Sequence, residues 1–214
     1  MMRRYDSKPT VGIIDYEVGN IYSVAKAVDY LGAKSLILTR GEDIERCSVV
    51  ILPGVGSFGH GINSIRARGF FQPLKSLASD RSKIFIGICL GFQLLFESSE
   101  ESPEETGLSL LPGTISQLSD GGLGQKVTNV GFRDCFRKQA SGRFESPSES
   151  SPCYFVHRYA YRDAANPFVT SISYDNIGKP FVSSIQNDNL FGFQFHPEKS
   201  KYVGLSILRD IIFS

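Results

Sequence analysis

The sequence predicts an α/β fold: a three-layer, doubly wound, mostly parallel sheet with a mixed or antiparallel extension in the C-terminal half. Two observations predict it. In the first half, short aliphatic runs alternate with segments of helical periodicity, the pattern of parallel strands joined by right-handed crossovers. From Gly113 onward, short strand-like runs follow one another between turn signals, which suits antiparallel pairing.

The elements follow in order. Val11-Gly12-Ile13-Ile14-Asp15 is the first strand, and the next helix carries Ile21, Val24, Ala25, Val28 and Leu31 on one face, with Gly32 as its stop. Lys34–Leu38 is the second strand. A short polar helix over residues 43–46 leads to the strand Val49-Val50-Ile51-Leu52, and the loop 53–61 opens onto helical material through Ala78. Residues 84–88 read as a buried strand, with Leu94, Leu95 and Phe96 beginning a helical stripe. The acidic run 97–105 reads as an exposed loop. Further strands are expected over 126–130, 153–156, 168–174, 181–185 and 190–195, with turns at 175–178 and 187–189. The final helix carries Leu205, Ile207, Leu208, Ile211 and Ile212. Residues 141–152, rich in Ser, Glu and Pro, form a surface loop too short to link domains. No internal repeat is present, and residues 1–214 are expected to form a single domain.

Composition narrows the function. The 23 basic residues are balanced by 22 acidic ones, so charge offers no case for nucleic acid. No apolar stretch approaches membrane-spanning length, and Arg3-Arg4 leads into Tyr5-Asp6-Ser7-Lys8 instead of an apolar run, so neither a membrane segment nor a signal peptide is expected. Cysteines at 47, 89, 135 and 153 lack both C-x-x-C spacing and the density of a secreted scaffold, which favours reduced thiols in a cytoplasm. The three histidines are far apart, and neither a metal nor a cofactor is expected.

Cys89 is the most informative residue. It sits in Gly87-Ile88-Cys89-Leu90-Gly91-Phe92-Gln93, on a strand-to-helix turn that its flanking glycines permit. A helix N-terminus lowers a thiol pKa and attracts an oxyanion. Far downstream, Phe193-Gln194-Phe195-His196-Pro197-Glu198-Lys199-Ser200 offers a histidine and a carboxylate two residues apart, and Pro197 forces His196 into an extended conformation. Seen singly, a cysteine after a strand is more often a small buried hydrophobe, a histidine a satisfied core residue and a glutamate a solvated acid. Together, Cys89, His196 and Glu198 form a nucleophile, a base and an orienting group. The segment Pro53-Gly54-Val55-Gly56 also follows a strand directly, so a parallel sheet can bring it to Cys89. His60 and His157 are not assigned to the triad, and Cys47, Cys135 and Cys153 are read as structural.

GICLGFQLLF at 87–96 and GFQFHPEKS at 192–200 resemble the class I, triad-type glutamine amidotransferases, a resemblance that spans nearly the whole chain. Pro53-Gly54-Val55-Gly56-Ser57-Phe58 and Asp15-Tyr16-Glu17-Val18-Gly19-Asn20 look like the branch of glutaminase subunits serving imidazole glycerol phosphate synthase. The resemblance implies attack of Cys89 on the carboxamide of L-glutamine, with His196 protonating the departing ammonia and Glu198 stabilising the imidazolium. It implies an oxyanion hole from the N–H of Leu90 and a peptide N–H of the Gly54-Val55-Gly56 loop, whose glycines let that peptide reorient when a partner's ligand binds. Gly56, Gln93 and Glu101 match substrate-binding positions, Glu101 being suited to the α-ammonium. Asn20, Tyr154 and Lys199 match a partner interface. The implied partner is a (β/α)8-barrel cyclase of the HisF type, or a paralogous synthase.

The chain departs from that pattern in several places. Glu17 stands where glycine is common and Phe92 where methionine is common. Thr128, Asn129 and Phe132 replace proline, histidine and tryptophan, and Arg158 replaces a small hydroxyl residue. Three alternatives stay open on the residues: a paralogue supplying ammonia to amidinate a bacterial surface sugar, a stand-alone cysteine hydrolase such as a peptidase, and a noncatalytic regulatory subunit.

Overall fold

Strand side chains alternate between two faces, so a sheet buried on both needs two apolar coverings. The computed structural model describes residues 8–118, 128–137 and 150–214. Nine described strands form one sheet in the order β2 (Lys34–Leu38), β1 (Thr10–Ile14), β3 (Val49–Leu52), β4 (Ile84–Ile88), β12 (Leu190–Phe193), β11 (Pro180–Asn187), β10 (Val169–Tyr174), β7 (Asn129–Arg137), β8 (Ser150–His157). Neighbours from β2 to β12 run parallel, and those from β12 to β8 antiparallel. A smaller sheet joins β5 (Phe96–Ser99), β6 (Leu111–Gln117) and β9 (Tyr159–Ala160).

The coverings are helical. Ile14, Val50, Leu52 and Phe85 share a core with Ile62 and Ile65 of α2 (Phe58–Ala67) and Leu74 and Leu77 of α3 (Phe71–Ser79). The alternate residues Val11, Ile13, Val49, Ile51, Ile86 and Ile88 face Val24 and Val28 of α1 (Ile21–Tyr30) and Leu208 and Ile211 of α5 (Lys201–Ile212). Three layers result, as expected. Gly32 ends α1 at φ +91°, its N–H donating to the Asp29 carbonyl at 3.0 Å.

Five expectations need correction. Leu94, Leu95 and Phe96 do not begin a long helix: α4 is the single turn Leu90–Gln93, and Phe96 opens β5. The carbonyls that would continue the helix are taken by a later segment, since Leu94 accepts from the N–H of Leu108 at 2.8 Å and Leu95 from those of Leu110 at 2.8 Å and Leu111 at 3.0 Å. The acidic run is partly strand, because Glu97, Ser98 and Ser99 belong to β5. The strand expected over 126–130 begins at Asn129 and continues to Arg137; residues 126 and 127 lie outside the described residues. Pairing with β8 from Asn129↔His157 to Phe136↔Ser150 sustains it, although the charged pair Arg133-Asp134 interrupts its apolar run. Of the expected loop 141–152, residues 141–149 lie outside the described residues, and the last three belong to β8. The strand 190–195 ends at Phe193.

Gly91 governs how α4 sits on the sheet. A Cβ there would overlap the backbone carbonyl oxygen of Leu52, which cannot move without disturbing β3. Gly91→Ala should therefore destabilise the fold by roughly 3 kcal/mol, the upper end of overpacking costs. Urea unfolding is expected to show a lower midpoint at an unchanged slope.

Candidate active site

Three loops leave the carboxyl ends of adjacent strands and converge. Cys89 follows β4, Pro53-Gly54-Val55-Gly56 follows β3, and His196 lies three residues beyond β12. Strand order alone makes β4 the middle of these three.

Cys89 adopts φ +54° and ψ −105°, a conformation that costs a non-glycine residue on the order of 1–3 kcal/mol. Its surroundings hold it there. The Cys89 N–H donates to the Phe193 carbonyl at 2.7 Å, and its own carbonyl accepts from the Gln93 N–H at 3.1 Å. The sulfur is 5% exposed with the residue, 3.9 Å from the Val156 carbonyl oxygen and 3.9 Å from Nε2 of Gln194.

His196 is extended at φ −98° and ψ 98°, as its place before Pro197 requires. Glu198 follows in a 3-10 turn, which brings Oε1 to 2.8 Å from Nδ1 of His196. With Nδ1 engaged, Nε2 is the nitrogen left for the Cys89 sulfur, and it has no other hydrogen-bond partner among the described residues. Burial by itself pulls the His196 pKa down. The negative charge and contact of Cys89, together with those of Glu198, outweigh it and hold the imidazole at about 10.

His157 shows the opposite result. It is also buried, and here burial dominates and lowers its pKa to about 4. Nδ1 lies 2.9 Å from the Tyr159 carbonyl, which can only accept, so Nδ1 carries the proton and Nε2 accepts from Nδ2 of Asn129 at 3.0 Å. His157 is thus a neutral strut of the cavity wall, and Asn129, at a position departing from the family pattern, completes it.

The expected oxyanion groups are present but not aligned. The Leu90 N–H donates to the Gly54 carbonyl at 3.3 Å. The described residues contain no cis peptide, so the N–H of Val55 points away from Leu90. Turning the 54–55 peptide over would release the Leu90 N–H and bring in that of Val55. Tyr16 anchors the loop just upstream through a 2.7 Å bond to the Pro53 carbonyl, and a Cβ on Gly54 would overlap the Tyr16 hydroxyl.

A cavity of about 390 Å³ opens beside Cys89, within the range of small-molecule sites. Gly56, Gln93 and Glu101 line it. Gln93 is committed through Nε2 to the Tyr159 carbonyl at 2.8 Å and Oε1 of Gln194 at 3.1 Å, leaving its own Oε1 for a ligand. Glu101 accepts from the Phe58 N–H at 2.8 Å, capping α2, and leaves its other oxygen free of that bond. Tyr154 and Lys199 lie together beside His196, with the Lys199 ammonium 5.8 Å from the Tyr154 ring centroid and the two rings 6.5 Å apart. Asn20 is the N-cap of α1.

Gln194 was not anticipated. It is fully buried and touches both Gln93 and Cys89. Its signal was a lone amide between Phe193 and Phe195 in a run otherwise fit for a core.

Fold and sequence together define the class. The glutamine amidotransferase class-I family model matches residues 12–213, and the chain belongs to that family. Among curated relatives, the imidazole glycerol phosphate synthase subunit HisH of Bacillus thuringiensis subsp. konkukian (strain 97-27) is 38% identical over 200 residues, covering 94% of this chain and 92% of the relative. HisH of Bacillus cereus (strain 03BB102) matches to the same extent. The fold is shared with a crystal structure of a glutamine amidotransferase at TM-score 0.72 and 17% identity, covering 95% of this chain and 99% of that one. It is also shared with PurLQS from Thermotoga maritima at TM-score 0.74 and 20% identity, covering 96% and 98%.

The His196 pKa carries a signed prediction. Its folded value lies above the ordinary 6.5, so the stability it contributes is fully present below pH 6.5 and is lost as pH rises through about 10. An NMR titration should place the imidazole transition near 10 in the wild type and distinctly lower in Cys89→Ala and Glu198→Gln.

Proposed function

We propose that this chain is the glutaminase subunit of an imidazole glycerol phosphate synthase, acting as one cytoplasmic domain that releases ammonia from L-glutamine for histidine biosynthesis. The observation that carries the chemistry is the imidazole of His196, held protonated between Cys89 and Glu198 beside an amino-acid-sized cavity. The similarity to HisH over 94% of the chain supports the pathway.

In this reading the Cys89 thiolate attacks the carbonyl carbon, Cδ, of the side-chain carboxamide, and the carbonyl electron pair moves onto oxygen. Val55 and Leu90 N–H groups receive that oxyanion once the 54–55 peptide has turned. His196 Nε2 gives its proton to the departing nitrogen, the C–N bond breaks and ammonia leaves. The neutral imidazole then takes a proton from water as the water attacks the thioester. Collapse returns the thiolate and frees glutamate. Gln93 and Glu101 hold the α-amino end, and Glu198 keeps the imidazolium oriented.

Ammonia in bulk water would be protonated and lost, so the reading includes a (β/α)8-barrel cyclase of the HisF type as the acceptor subunit. Asn20, Tyr154 and Lys199 are the residues proposed to face it. The closed oxyanion hole fits a glutaminase that waits for its partner.

Glutamate release from glutamine, alone and with such a cyclase and its nucleotide ligand, tests this. Strong stimulation by the cyclase and a loss of at least about a thousandfold in Cys89→Ala are expected. Cys89-dependent hydrolysis that the cyclase neither binds nor stimulates, but that a sugar-amidating synthetase does, would reassign the chain to the paralogous pathway.

A further inference from the structure

Two charged side chains line the cavity beside Cys89, Glu101 and Arg158. His157, also in the lining, adds no charge, because burial holds its pKa at about 4. An α-amino acid whose γ-amide reaches Cys89 leaves one ammonium and one carboxylate toward the rim. One anion and one cation are the complement of that zwitterion, and Glu101 takes the ammonium in the glutaminase reading, on which this inference rests. We infer that Arg158 is a specificity-determining residue that binds the α-carboxylate of the substrate through its terminal guanidinium nitrogens.

The local geometry prepares it for that contact. The Arg158 backbone is anchored, its carbonyl accepting from the Leu118 N–H at 2.7 Å, while its side chain is exposed at the cavity mouth. Nε donates to Oγ1 of Thr128 at 3.0 Å, and none of the described residues bonds Nη1 or Nη2. The fork is steered from one edge while its other donors remain open, the arrangement suited to a two-pronged carboxylate contact. Two departures from the family pattern meet in this bond. A proline at 128 would offer no hydroxyl, and a small residue at 158 would offer no guanidinium.

The test is the rate at which Cys89 is alkylated, followed by intact-protein mass. The probes are 6-diazo-5-oxo-L-norleucine, the same diazoketone without its α-carboxylate, and iodoacetamide. Arg158→Ser should slow the first reaction about tenfold to a hundredfold, as loss of a charge-assisted hydrogen bond predicts, and leave the other two unchanged. Arg158→Lys should recover part of the rate, and Thr128→Val should lose less than Arg158→Ser. Unchanged labelling by the amino-acid probe in Arg158→Ser overturns the inference while the glutaminase reading stands. So does an equal fall with all three probes, which would make Arg158 a structural residue. Wild type that reacts with iodoacetamide but not with the amino-acid probe overturns the glutaminase reading and this inference with it.

Discussion

The backbone of α4 presses against the end of β3 so closely that no side chain fits at Gly91, and the site is assembled around that contact. The Leu52 carbonyl occupies the space a Cβ would need, which draws the start of α4 over the neighbouring strand. Cys89 must then turn through a positive φ to pass from β4 into the helix. That turn raises the thiol out of the sheet toward the loop after β3 on one side and the segment after β12 on the other. Backbone strain at Cys89 is sustained because the bonds to Phe193 and Gln93 determine its position from both sides.

Electrostatics follows from the same crowding. The His196 and Glu198 side chains are 2% and 1% exposed, where an isolated charge would be expelled or neutralised. Mutual pairing retains them instead. The comparison with His157 isolates the cause, for both rings are buried. One faces a carbonyl and an amide and stays neutral, while the other faces the Cys89 sulfur and the Glu198 carboxylate, and its pKa is raised. Burial supplies the low dielectric in both cases, and the neighbours decide the sign.

The parallel half was legible because its strands are short, apolar and separated by helices with clear stripes. Cys89, His196 and Glu198 were legible because a glycine-flanked turn and a proline constrain the backbone in ways that survive translation into one dimension. Leu94, Leu95 and Phe96 misled because helical spacing says nothing about a competitor for their carbonyls, and the Leu108–Leu111 segment is that competitor. The reach of β7 to Arg137 was hidden by the charged pair Arg133-Asp134 in its middle, since its stability lies in the ladder with β8 and not in its own composition. Gln194 was missed for a related reason. An amide flanked by phenylalanines shows its purpose only when Gln93 and Cys89 are seen against it.

Glu101 occupies two offices at once, and that overlap ties distant parts of the site together. Its carboxylate receives the first N–H of α2, the helix into which the Gly54-Val55-Gly56 loop runs two residues later. An ammonium held by the other oxygen, as in the glutaminase reading, would draw on the same negative charge as that N–H. Were its binding to differ between two loop conformations, linkage would be reciprocal: whatever turned the loop would change the affinity of the cavity by the same factor that filling the cavity changed the loop.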